Sequence, residues 1–262
     1  MKRAMGKWEQ NVLLKQHPFV AKHLPETQLY NESNLDGFLN RYQSVYVKHD
    51  TTGQGRAILK IHKSDGGNYF VNGTTIQGTP IQKSVSRADE IQQLLHPFIK
   101  LGRKSGLYII QENIQSYNQN GQPFIIRVHV QKLKGNWVIG GMYGAISATQ
   151  TGLTTENGIV NTHRDAIVMT VSDVLSHTTK HQQKETVKKI EEIAIAAAKV
   201  IHSALPNREY GIDFGVNKEG TPILLEVNTT PSIRSFAKIN NKRIWKRIVE
   251  IRKMQSEEDK TN

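Results

Sequence analysis

The chain has 262 residues, long enough to bury one large core or two smaller ones. Apolar residues make up 37% and charged residues 22%, a globular balance, and no run of about 18 apolar residues predicts a membrane span. Lysine and arginine number 35 against 23 acids, a net charge of +12 that favours polyanionic partners, and the absence of cysteine excludes disulfides and thiolate chemistry.

The opening MKRAMGKWEQNVLLKQHP has neither the apolar stretch nor the small-residue cleavage site of a secretory signal. Residues 7–24 read as helical, broken near His17-Pro18, and Leu24–Thr27 reads as a turn. A short helix is expected over Leu35–Tyr42, with Ser33 or Asn34 as its N-cap. Ser44–Lys48 alternates as a strand, Asp50–Arg56 is a glycine-containing turn, and Ala57–His62 is the returning strand. Asn68–Val71 and Thr74–Gln77 suggest a hairpin turning at Asn72-Gly73.

Ser86–Phe98 fits a helix, and Leu107–Gln111 is an apolar strand. Phe124–Leu133 and Asn136–Ile146 form a hairpin through Lys134-Gly135. Residues 147–164 are polar and rich in Gly, Thr and Asn, the composition of a long functional loop. The apolar residues of Gln182–Leu205 keep a 3.6 period, and Pro206-Asn207 ends that helix. Lys238–Lys253 concentrates the positive charge on an amphipathic helix, which reads as docked on the domain by Ile244, Trp245, Ile248, Val249 and Ile251, with a helix that binds nucleic acid or a membrane as the alternative. Gln255–Asn262 reads as a polar, frayed end. Hairpins and helices alternate without a βαβ rhythm, so the fold class is α+β with mostly antiparallel sheets.

The hairpin GIDFGVNKEGTPILLEVNTTPSI carries the chemistry. Ile212, Phe214 and Val216 point one way along the first strand, and Asp213 points the other. With Asn217–Gly220 as the turn, Val216 opposes Thr221 and Asp213 opposes Leu224. Glu226 then becomes the diagonal neighbour of Asp213, and Asn228 shares their face. Ile223, Leu225 and Val227 fall on the other face, and a one-residue change of register would break the alignment. Two carboxylates and an amide oxygen suit Mg²⁺. The competing reading is a solvated strand face.

Other residues extend the pattern. Lys48 precedes a turn containing Gly53 and Gly55, where backbone N–H groups can approach phosphate; an ordinary turn with an exposed lysine is the plainer alternative. Arg127 lies in the apolar strand FIIRVHV: if it points inward it needs a counter-ion or an anion, and if outward it needs nothing. Asn161 and Arg164 end the long polar loop, within reach of phosphate or substrate. None of the ten histidines has zinc-site spacing, and His177 and His181 read as a surface pair.

In chain order these pieces are a Lys and Gly-rich hairpin, an apolar strand leaving through Gln111-Glu112, a strand arginine, a loop asparagine, a long helix, and Asp followed by Glu-x-Asn. The order resembles the ATP-grasp superfamily, and within it the YheC/YheD group of endospore-coat-associated proteins. The segments that carry the likeness are HPFVAKHLPETQLY, SVYVKHDTTGQGRAILKI, YIIQENI, GQPFIIRVHVQKLKGNW, GIVNTHRD and EYGIDFGVNKEGTPILLEVNTTPSI, from about Trp8 to Ser235.

The resemblance implies two α+β lobes that grip ATP. Its divisions would be an N-terminal helical segment (1–30), an N-terminal lobe (31–113), a C-terminal lobe with a metal site (114–240), and a basic helix with a frayed tail (241–262). Lys48 would contact the phosphates, with the Gly53–Gly55 loop over them. Gln111, Glu112 and Ile114 would lie beside adenine, and Asn161 would help to hold the nucleotide. Arg127 and Arg164 would act on the phosphoryl or acyl-phosphate group. Asp213, Glu226 and Asn228 would hold one or two Mg²⁺ ions, with Mn²⁺ as the alternative.

The activity implied is an ATP-dependent carboxylate–amine or carboxylate–thiol ligase in the cytoplasm, acting on a carboxylate and a nucleophile that the residues do not identify. The resemblance also suggests spore coat proteins as partners and a spore-associated location, and the net charge of +12 suggests an anionic polymer. No motif marks a specific nucleic-acid partner. The chain departs from the family pattern at Ile125, where an aspartate is usual, and at Tyr143-Gly144-Ala145, where a second arginine is frequent. After Asn161 it reads Thr162-His163-Arg164-Asp165-Ala166 instead of a glycine pair. These departures support the alternative of a catalytically degenerate protein with a structural role in spore coat assembly.

Overall fold

The computed structural model describes residues 5–53, 55–100, 107–147 and 166–261. The long polar loop, with Asn161, Arg164 and Asp165, lies outside the described residues from position 148 onward. The chain divides into two compact units, one built mainly from residues 25–113 and the other from residues 12–24, 114–150 and 162–262.

In the first unit, β1 (Thr27–Leu29), β2 (Ser44–His49), β3 (Ile58–Lys63), β4 (Tyr69–Thr74), β5 (Pro80–Val85) and β6 (Tyr108–Glu112) form one antiparallel sheet in the order β1-β6-β2-β3-β4-β5. Two helices, α1 (Lys7–Lys15) and α2 (Pro18–Ala21), precede this sheet in sequence. Alternation gives the sheet two unlike faces. Val45, Val47, Leu59, Ile61, Val71 and Ile110 are buried against α3 (Glu32–Arg41) and α4 (Ala88–Lys100), which contribute Leu35, Phe38, Ile91 and Leu95. The opposite face carries the row Thr27–Gln111–Tyr46–Lys60–Asn72–Gln82, one residue from each strand.

Two local expectations are corrected here. The N-cap of α3 is Asn31, whose side chain accepts the Asn34 N–H, so the helix starts earlier than the sequence suggested. Asn72-Gly73 is not a turn but the middle of β4; the chain reverses at Thr75–Gly78. Glycine is required at 73 for a different reason. Its φ is 155°, and a Cβ there would sit 2.0 Å from the Ile58 carbonyl oxygen.

In the second unit, β7 (Phe124–Leu133), β8 (Asn136–Ile146), β9 (Ile167–Met169), β10 (Glu209–Val216) and β11 (Pro222–Asn228) form an antiparallel sheet in the order β11-β10-β7-β8-β9. Lys134 and Gly135, both with positive φ, make the tight turn between β7 and β8 where the sequence placed it. One face presents Ile126, Val128, Val130, Ile212 and Phe214, all buried. The helix α6 (Lys180–Ala204) covers that face with Ile190, Ile193, Ala194, Ala197 and Ile201. Its N-terminus is fixed by a capping box between Thr179 and Gln182. The short helix α5 (Val171–Val174) lies on the same side, with Val174 against Gly144.

The other face is partly covered by the 3-10 turn Arg234–Lys238 and by α7 (Arg243–Thr261). Phe236 packs edge-on against His129 and Tyr143. The expectation of a frayed end from Gln255 is corrected. Helix α7 runs to Thr261, and buried Gln255 donates to the carbonyls of Lys132 at 2.8 Å and Arg208 at 3.2 Å. These bonds satisfy backbone groups at the end of the sheet, so the polar composition there marks a tertiary clasp.

Candidate functional site

The hairpin β10–β11 brings its carboxylates closer than simple alternation predicts. The pairing runs Val216↔Pro222, Gly215↔Ile223, Phe214↔Leu224, and then shifts by one residue. Asp213 faces Glu226, Ile212 faces Val227, and Gly211 faces Asn228. Leu225 is the extra residue of a β-bulge. The expected register of Asp213 on Leu224 is therefore corrected, and the carboxylates are direct rather than diagonal neighbours. Leu224, not Leu225, shares the apolar face with Phe214, and Ile223 falls on the carboxylate face. A bulge cannot be read from period-2 alternation, because it breaks the period.

On the other side of β10, Asp213 faces Arg127, which in turn faces Tyr143. One row thus crosses four strands as Glu226–Asp213–Arg127–Tyr143. Arg127 points onto the site face and closes on Asp213 in bidentate fashion, through Nε to Oδ1 and through Nη2 to Oδ2, the latter at 2.7 Å. The side chains are only 14% and 13% exposed. Burial works against the charge on Arg127, but Asp213 outweighs it and lifts the guanidinium above its ordinary range. Burial pushes the Asp213 carboxyl up, opposed by Arg127.

Asn228 donates its amide to Asp213 Oδ2 at 3.3 Å, which turns its carbonyl oxygen away from that carboxylate. A carboxylate offers about four lone-pair directions, and three on Asp213 are engaged by Arg127 and Asn228. Among the described residues no group of three His, Cys, Asp or Glu is placed to hold a metal. The donor set is two carboxylates and one amide. That set fits Mg²⁺, which takes few protein oxygens and keeps several waters.

Beside this row, His129 is fully buried and its Nε2 lies 3.1 Å from Glu209 Oε2. Arg252 of α7 grips the same carboxylate at 2.9 and 2.6 Å. Burial lowers the His129 imidazole below its ordinary value. For Glu209 burial acts upward, but His129 and Arg252 outweigh it and hold the carboxyl at about 2. This triad ties the basic helix to the strand that carries Arg127. The sequence reading passed over it because its three members are far apart in the chain.

In the first unit, Lys48 lies on the polar face of the sheet, with Nζ 2.6 Å from Gln111 Oε1 and 5.0 Å from the centre of the Tyr46 ring. Gln111 donates its amide to Thr27 Oγ1 at 3.0 Å. Glu112 accepts the Glu26 N–H at 3.0 Å. Lys60, Asn72 and Thr27 are almost fully buried along the same row, a set the sequence reading missed. Their signal was the alternation of Lys60 with Leu59 and Ile61.

Gly53 is exposed, and Gly55 has a φ of 69° with its carbonyl accepting Thr74 Oγ1 at 2.7 Å. The start of this loop is organised by His49. Its Nδ1 accepts from Thr51 N at 3.2 Å and Thr52 N at 3.1 Å, and meets Thr52 Oγ1 at 2.8 Å. Burial holds His49 below its ordinary value, which preserves the acceptor. Ile114 opens the portion of the chain that belongs to the second unit, beside Gly215. Asn161 and Arg164 lie outside the described residues.

Comparison with known proteins gives this geometry its context. A profile of the YheC/D-like ATP-grasp family matches residues 2–252. The endospore coat-associated protein YheD of Bacillus subtilis (strain 168) is 27% identical over 247 residues, which are 91% of this chain and 51% of that protein. The chain thus spans about half the length of that relative. Among solved structures, D-cycloserine synthetase DcsG superposes with a TM-score of 0.57 at 12% identity, covering 96% of this chain and 70% of that one. The D-alanine-D-alanine ligase from Coxiella burnetii superposes with a TM-score of 0.53 at 14% identity, covering 98% and 60%. The likeness to solved structures shows the fold, and the profile matched over residues 2–252 shows that the chain belongs to the YheC/D-like ATP-grasp family.

Proposed function

We propose that the chain is an ATP- and Mg²⁺-dependent ligase that activates a carboxylate and joins it to an amine or a thiol. The observation that carries this reading is the Glu226–Asp213–Arg127 row with Asn228 beside it, oxygen donors and a cation fixed on one sheet face. Glu226, Asn228 and the remaining lone pair of Asp213 would hold Mg²⁺, which supplies charge neutralisation of the phosphates. Arg127 has two of its five N–H donors committed to Asp213, and its others would serve a phosphoryl oxygen.

In the first unit, Lys48 is positioned by Gln111 and would offset phosphate charge. The loop through Gly53 and Gly55 offers backbone N–H groups to the same anion. A substrate carboxylate oxygen attacks the γ-phosphorus, the bond to the bridging oxygen breaks, and ADP leaves. The nucleophile then attacks the acyl carbon, loses its proton, and expels phosphate. No protein nucleophile is required; the work is positioning and charge stabilisation.

The test is thermal unfolding of the wild type and Glu226→Ala, each with and without ATP and Mg²⁺. A ligand that binds only the folded state stabilises it by about 2.7 kcal/mol at a hundredfold excess over Kd. A Mg²⁺-dependent rise in Tm that disappears in Glu226→Ala supports the reading, and ADP release with a panel of carboxylates follows from it.

A second reading is favoured by the clamp of Arg127 on Asp213, which occupies both oxygens of a would-be metal ligand. Under that reading the chain is a degenerate ATP-grasp protein with a structural role in spore coat assembly, as the name of the YheD relative suggests. An unchanged Tm at saturating ATP and Mg²⁺ would move the weight to it.

A further inference from the structure

The strand β8 pairs with β7 along its length, but with β9 only at Gly144, Ala145 and Ile146. Among the described residues no strand covers the outer edge from Asn136 to Met142. Open edges of this kind are ordinarily shielded, because their unpaired N–H and C=O groups invite another strand. Here the edge opens into a cavity of about 380 Å³ lined by Ile139–Met142 of β8. Val187 and Glu191 come to it from α6, and Ile244 and Arg247 from α7. The two helices pack on opposite faces of the sheet, so the cavity is a slot along the strand edge between them, closed further by Thr170, Val171, Ile239 and Asn240.

The slot continues past Val171, Val187 and Glu191 into a second cavity of about 420 Å³ between α5 and α6. Its rim is basic. Lys180, Lys184 and Lys188 are exposed and stand four residues apart on one side of α6. That spacing places a cation about every 6 Å along the helix. Side chains on one face of an extended strand recur about every 6.7 Å, close to the same repeat. The lining is apolar on the inside, with Ile139, Met142, Val171 and Leu175. Glu191, half-buried among them, has its carboxyl pushed up by burial, with Arg247 opposing.

We propose that this slot is a docking site for an extended acidic segment of a partner protein, which adds as a strand to the open edge of β8, seats apolar side chains in the cavities and sets alternate carboxylates against the lysines of α6. Strand addition supplies affinity through backbone hydrogen bonds and selectivity through the alternate side chains. The lysine rim selects against basic segments and speeds encounter with acidic ones. The site lies wholly in the second unit and uses none of the proposed metal or phosphate ligands.

The test uses a fluorescein-labelled peptide in which Asp or Glu alternates with Val, followed by fluorescence anisotropy with the full chain. Saturable binding is expected, with slowed exchange at those amides of Ile139–Met142 that point away from β7. Methylating alternate backbone nitrogens of the peptide removes its strand hydrogen bonds and should weaken binding about tenfold or more. The double variant Lys184→Glu, Lys188→Glu changes only exposed side chains, so its Tm should match the wild type while affinity falls about tenfold.

Equal binding of the methylated peptide would overturn strand addition. Equal binding of a Lys–Val counterpart would overturn the charge selection. Absence of binding at millimolar peptide would overturn the site itself. A concentration-dependent dimer that the double variant abolishes, without peptide binding, would assign the slot to a second copy of the chain and overturn the proposal as well.

Discussion

Arg127 and Asp213 face each other across β7 and β10 and are joined by two hydrogen bonds in a nearly dry setting. The pair fixes the one carboxylate that also faces Glu226, so the geometry of the whole row depends on it. Removing either partner leaves a buried charge without its counter-ion. Arg127→Ala should lower the unfolding free energy by about 3–5 kcal/mol. Urea denaturation checks this. A double-mutant cycle with Asp213→Asn should show strong coupling, because the second change removes the orphaned charge. Additive losses would mean that the two side chains act independently.

Gly73 tests the packing of the first sheet. Alanine there adds a Cβ 2.0 Å from the Ile58 carbonyl oxygen at a backbone φ of 155°. Gly73→Ala should cost about 3 kcal/mol, from the clash together with backbone strain. A loss below about 1 kcal/mol in chemical denaturation would show that β3 and β4 yield easily.

His49 tests the ordering of the glycine-containing loop. Replacement by Phe keeps a ring beside Tyr108 but removes the acceptor for Thr51 and Thr52. The expected cost is about 1 kcal/mol in stability. The sharper signature is loss of hydrogen-exchange protection at the amides of Thr51 and Thr52. Unchanged protection in His49→Phe would assign the loop's order to other contacts.

The acid response has a definite sign. His23, His49 and His129 are each pushed below 6.5, foremost by burial. Between those lowered values and 6.5 the unfolded chain binds protons that the folded chain refuses. Their contribution is therefore fully present above pH 6.5 and declines as the pH falls below it. Tm measured from pH 7.5 to 5 should drop, and His129→Phe should flatten part of the slope. Stability that rises on acidification over this window would contradict the assignment.

Glu209 governs a lower window. Its carboxyl is held at about 2 against an ordinary value of 4.5, so its contribution is present above pH 4.5 and lost as the pH falls toward 2. Glu209→Gln removes the anion that His129 and Arg252 share. It should lower Tm at pH 7 and reduce the acid sensitivity below 4.5. Retention of the full acid slope in this variant would place the sensitivity in other carboxylates.

Much of this protein was legible in its sequence. The strands Phe124–Leu133 and Asn136–Ile146 and their turn follow from alternation and a Lys-Gly pair, because local backbone preference and burial point the same way there. The 3.6 period of α6 is equally local. Period 2 also put Asp213, Glu226 and Asn228 on one strand face, and the order of motifs pointed to the ATP-grasp family that the matched profile shows. These features need only the geometry of one segment and the identity of its residues.

Tertiary structure decided the rest. The bulge at Leu225 sets Asp213 directly opposite Glu226, and a bulge is chosen by the fit of two strands, not by either one alone. Arg127 became a clamp because β7 lies beside β10, a neighbourhood formed across 86 residues of chain. Gln255 read as part of a frayed end until the carbonyls of Lys132 and Arg208 gave its amide partners. Asn72-Gly73 read as a turn because its composition favours one, yet the close approach of β3 requires a glycine within a strand. In each case the deciding energy is a contact between residues distant in sequence, and a chain read in order contains the partners without their proximity.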